Sequence, residues 1–86
     1  MEKSSLELAN YLELSTSIIC VMLCRAEFNK YKHGTKYKIN VGFIDDAYNF
    51  LELKKLAKVN TREKFQKAQK KLYQWKRRLI AQNAVF

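Results

Sequence analysis

Lys64, Lys71 and Arg78 recur at intervals of seven, and Lys67, Lys70 and Arg77 stand between them. A helix carrying this segment would present a broad cationic face. Lysine and arginine in such an array make charge-assisted hydrogen bonds to phosphate oxygens and release counterions, without reading base identity. Residues 61–86 hold eight cations against Glu63 alone. A merely solvated face mixes signs to limit self-repulsion, and this one does not. The same array would also dock on a carboxylate-rich protein face.

A second basic stretch lies upstream, where Lys30, Lys32, Lys36 and Lys38 alternate with Tyr31 and Tyr37 and no acid intervenes. Lysines set among tyrosines suit phosphate contact with base stacking, the combination used by single-strand binders. The competing reading packs both rings on the protein's own core and leaves the lysines to water.

Other chemistry is thin. Cys20 and Cys24 are followed by His33, the single histidine, which leaves a fourth zinc ligand missing, so no metal is expected. The spacing of the cysteines on a helix poorly matches disulfide geometry. Both are expected to be buried free thiols in a reducing, cytoplasmic setting. His33 is read as a cation closing a helix C-terminus. Asp45 and Asp46 would point about 100° apart on a helix, and serve better as a helix start than as an acid–base pair. There is no glycine-rich phosphate loop, no nucleophile set beside a histidine and no acidic cluster for magnesium. Neither enzymatic activity nor a cofactor is expected.

The elements that must position these residues follow from composition. The chain has 86 residues, no proline and two glycines, with 48 % apolar residues, which suits one domain of uninterrupted helices. Ser4 or Ser5 can cap a first helix, with Glu7 in its first turn. That helix runs to Lys32 or breaks at Ser15-Thr16-Ser17, where a second capping cluster stands. Residues Ile18 to Phe28 are apolar nearly all round, which calls for cover on several sides, at the centre of the fold or, slightly favoured, at a homodimer seam. Gly34 reads as a left-handed helix terminator.

Residues 35–43 read as an extended connector, since a strand there would lack a partner within the chain. Asp45 and Asp46 start a helix to about Lys58. Val59-Asn60-Thr61 makes a turn, and a last helix runs to about residue 82 as the second arm of an antiparallel hairpin. Phe65, Ala68, Leu72, Trp75 and Leu79, spaced three, four, three and four, form its packed seam, with Trp75 in the core.

The expected fold is therefore all-α, a bundle of three helices, or four if the first one breaks, over residues 1–86. The net charge of +9 is concentrated in the two segments named above. The expected function is nonspecific nucleic-acid binding, to DNA or RNA, through Lys30, Lys32, Lys36, Lys38, Lys64, Lys67, Lys70, Lys71, Arg77 and Arg78. The alternative is a protein–protein module or inhibitor whose basic face docks on an acidic surface of a larger enzyme. The abundance of Lys, Asn, Tyr and Ile, a style found in phage and plasmid products, leans slightly that way. No stretch carries a helix-turn-helix, ribbon-helix-helix or zinc-finger signature. No membrane span is expected, because the apolar run from Ile18 is far short of the ~20 residues a bilayer requires.

Overall fold

The computed structural model describes residues 2–57 and 62–83. Helices dominate it, with a small sheet at one side. In chain order the elements are β1 (Glu2–Lys3), α1 (Ser5–Leu12), α2 (Thr16–Leu23), a 3-10 helix (Ala26–Tyr31), β2 (Lys32–His33), β3 (Lys36–Lys38), α3 (Val41–Ala57) and α4 (Arg62–Asn83).

Helix α1 starts at a reciprocal cap. Glu7 N–H donates to Ser4 Oγ, and Ser4 N–H donates to the Glu7 carboxylate, each at 3.3 Å. The helix stops at Glu13, which takes a left-handed conformation, φ 56°. Ser15 then caps α2 by accepting from Ile18 N–H. The break at Ser15-Thr16-Ser17 is thus real, and it yields four α-helices among the described residues.

Helix α2 buries Ile19, Met22 and Leu23, a three–four spacing that selects one face. Cys20 points off that face and Cys24 is the C-cap, so both thiols are free and exposed, not buried as expected. The helix ends at Leu23, and Phe28 is buried from the 3-10 helix. Cover for Ile19, Met22, Leu23 and Phe28 comes from within the chain, while Val21 in the same run stays 52 % exposed.

The connector expected over residues 35–43 is replaced by structure. Lys36–Lys38 is the central strand of an antiparallel sheet ordered β1-β3-β2. Lys3 and Lys32 both pair with Tyr37, Glu2 with Lys38, and His33 with Lys36. Gly34 has φ +66° but ends no helix. It turns the two-residue hairpin from β2 to β3, where a first turn residue with positive φ matches the twist of the strands. His33 accordingly lies in a strand, where its Nδ1 sits 2.6 Å from Glu2 on the far edge strand.

Helix α3 begins before Asp45. Asn40 Oδ1 accepts from Phe43 N–H at 2.9 Å, so Asn40 is the cap and both aspartates fall inside the helix. Helices α3 and α4 pack antiparallel: Gln69 meets Tyr48 and Glu52, while Lys76, further along α4, reaches back to Asp45. The turn expected at Val59-Asn60-Thr61 lies outside the described residues. The core contains Leu8, Leu12, Ile19, Met22, Phe28, Phe43, Ile44, Leu51, Phe65, Leu72 and Trp75, drawn from every α-helix and the 3-10 helix. No helix among the described residues is long and apolar enough to cross a membrane.

Candidate polyanion-binding surface

Helix α4 turns Phe65, Ala68, Leu72 and Trp75 inward, with Leu79 partly covered. At 100° per residue, Arg77, Lys70, Lys67, Arg78, Lys71 and Lys64 then occupy an outer arc of about 140°. The seam expected along α4 is the buried face, and the cations are where the inward face leaves them.

Lys71 differs from its neighbours. Its Nζ lies 2.6 Å from Glu13 Oε2 and donates to the Tyr11 carbonyl at 3.0 Å, tying the end of α1 to α4. This hydrogen bond and charge hold the Glu13 carboxyl below its ordinary value. Lys71 is therefore engaged inside the molecule, whereas Lys64 and Lys67 border a shallow depression beside Leu12 and Glu13.

Six of the other seven acids are similarly committed, Glu63 being the exception among the described residues. Glu2 meets His33, Glu7 closes the α1 cap, Glu27 pairs with Arg25, and Asp45 with Lys76. Asp46 accepts from the Tyr31 hydroxyl, and Glu52 accepts from Gln69 and pairs with Lys55. Among the described residues, Lys30, Lys32, Lys36, Lys38, Lys64, Lys67, Lys70, Arg77 and Arg78 make no ion pair. Nine of the ten candidate residues thus carry a charge with no ion-pair partner among the described residues, and localised charge of one sign sets up a field at the surface.

In the sheet, Lys36 and Lys38 share a face, because alternate residues of a strand point the same way. Tyr37 between them is half-buried on the other face. Tyr31 is buried, its ring edge-on to Phe43 at 5.3 Å. The stacking role open to this pair in the sequence thus has no accessible Tyr31 ring to use, and the segment offers lysines. Lys30 covers the Tyr31 ring from outside, 5.2 Å from its centre. Lys3 Nζ lies 5.9 Å from the Trp75 ring, which brings β1, the neighbour of β3, beside α4. The two basic segments are thereby linked through the Lys3–Trp75 contact.

Sequence reasoning passed over Tyr48, Gln66, Tyr73 and Gln74, which border an open groove between α3 and α4. The available signal was Tyr73, a large aromatic one position off the apolar seam at Leu72. Among the described residues no group of three His, Cys, Asp or Glu side chains could hold a metal ion. No protein-family model matches the chain, no curated protein is similar to it, and no solved structure matches it.

Proposed function

We propose that this chain is a non-catalytic binding protein whose ligand is the phosphate backbone of nucleic acid, held by the outer arc of α4 and the lysines of the sheet with little regard for sequence. The observation that carries this reading is the asymmetry of ion pairing. Five of the eight acids are ion-paired within the chain and two more, Glu7 and Asp46, accept hydrogen bonds, while nine candidate cations make no ion pair among the described residues. Such an array gains from each phosphate it neutralises, because condensed counterions are released. The accessible unpaired thiols of Cys20 and Cys24 support a reducing, cytoplasmic setting.

The test is affinity for an oligonucleotide across graded salt. The logarithm of the binding constant should fall linearly with log salt, by roughly 0.9 per phosphate neutralised on a duplex or 0.7 on a single strand. A flat slope, or no binding at low salt, rejects the reading.

A second reading, docking on an acidic protein, draws support from Leu53 and Leu56. Leu56 is 76 % exposed on α3 and supplies apolar contact area that a phosphate backbone does not use. A stoichiometric protein partner that survives nuclease treatment of the lysate would favour it.

A further inference from the structure

Tyr73 is two residues from Lys71 and so points about 160° away from it around α4, toward α3. There it stands beside Tyr48, with 56 % of Tyr73 and 39 % of Tyr48 exposed. Both tyrosines border two adjoining depressions. The larger, about 510 Å³, is also lined by Gln66, Lys70, Gln74 and Lys55. The smaller, about 260 Å³, runs toward Asp45 and Lys76. The larger volume lies within the roughly 300–1,000 Å³ of small-ligand sites.

The carboxylates nearby are engaged, Asp45 by Lys76 and Glu52 by Gln69 and Lys55. Lys70, on the groove wall, makes no ion pair among the described residues. Arg77 has its guanidinium 6.0 Å from the centre of the Tyr73 ring. The groove therefore combines two part-exposed tyrosines, amides able both to donate and to accept, and cations on the side that joins the outer arc of α4.

We infer that this groove receives an unpaired nucleobase from single-stranded nucleic acid, stacked on Tyr73, with the flanking phosphates on Lys70 and Arg77. The inference rests on the polyanion reading above and narrows it, because a duplex keeps its bases paired and stacked out of reach. Stacking tolerates any base, and the Gln66 and Gln74 amides can meet either a donor or an acceptor edge. The site is thus compatible with weak sequence preference.

Binding of the whole chain to an oligothymidylate should be compared with binding to an abasic strand of equal length, with an oligouridylate run in parallel. The wild-type protein should prefer the base-bearing strand of at least one sugar type by about ten-fold or more. The preferred sugar names the source of the base. Tyr73→Ala should erase that preference while leaving the affinity for the abasic strand and the salt slope unchanged, and Tyr73→Phe should retain it. Equal binding of both strands, with Tyr73→Ala silent, overturns the groove assignment and leaves the phosphate reading intact. No binding of either strand at low salt removes both. Loss in Tyr73→Ala of a nuclease-resistant protein partner, with strand binding unchanged, would give the groove to a protein and overturn the inference.

Discussion

The Tyr31 hydroxyl donates to Asp46 Oδ2 at 2.8 Å, and it reaches that carboxylate by passing over Gly42. A Cβ at Gly42 would stand 2.9 Å from the hydroxyl oxygen and 3.3 Å from the capping oxygen of Asn40. The ring has little room to retreat, because Phe28 and Phe43 pack against it. Gly42→Ala should therefore destabilise the fold, even though alanine in a helix interior ordinarily gains up to about 1 kcal/mol over glycine. Tyr31→Phe should cost about 1–2 kcal/mol by removing one hydrogen bond to a partly exposed carboxylate. In the double variant the alanine loses its clash, so the two effects should sum to less than their separate costs in chemical denaturation. Full additivity would mean that the hydroxyl and the glycine act independently.

Stability should fall at both ends of the pH scale, for different groups. Burial, followed by the bond to Asp46, pushes Tyr31 up to about 12 from 10.0. A raised folded value means stability fully present below pH 10.0 and lost as pH rises through about 12. Glu7, Glu13 and Glu52 are held below 4.5, chiefly by hydrogen bonds from the Ser4 backbone, Lys71 and Gln69 respectively. Their contribution is present above pH 4.5 and lost as pH falls through their lowered folded values. Thermal unfolding followed across pH should show Tm dropping in each window. In Tyr31→Phe, the alkaline drop should shrink and the acid one should persist.

Lysines on one helix should separate into two kinds. Lys64→Gln, Lys67→Gln and Arg78→Gln together remove no ion pair among the described residues, so they should leave Tm nearly unchanged. They should also flatten the salt slope for a single strand by about 2. Lys71→Gln should do the reverse, lowering Tm and returning the Glu13 carboxyl toward 4.5, with little change in slope. Equal effects of the four on binding would place Lys71 in the interface.

Cys20 and Cys24 should both react with a small thiol reagent in native buffer. Their rates should fall within about an order of magnitude of those in the unfolded chain, since both are exposed. Protection of either thiol would show that something covers that side of α2, and sedimentation would tell whether the cover is a second copy.

Much of this was legible along the chain where the signal is local. The seam Phe65, Ala68, Leu72 and Trp75 set the inward face of α4, and the serines at Ser4-Ser5 and in Ser15-Thr16-Ser17 marked two helix starts, where Ser4 and Ser15 do cap. The sheet was not legible, because β1 and β2 are two residues each, too short to show alternation, and β1 lies far from its partner in sequence. The start of α3 was misplaced because Asp45 and Asp46 are good cap residues, yet Asn40 is the one whose side chain meets an open backbone donor. The cysteines were misread because an all-apolar run hides which of its faces is covered. Charge showed where the cations are, whereas Lys71 could be told from Lys64 only once Glu13 had been placed beside it.

The pairing of β1 with β3 also sets an order of events. During synthesis at about 5–20 residues per second, Glu2 and Lys3 wait roughly 2–7 s before Tyr37 and Lys38 exist. The β2–β3 hairpin turns through two residues and can close within about 1–10 μs of being made. Glu2 and Lys3, made before the other two strands, are thus the last to join the sheet. In pulse-labelled amide exchange during refolding, protection along β2–β3 should precede protection along β1–β3; simultaneous protection would mean that the sheet forms in one step.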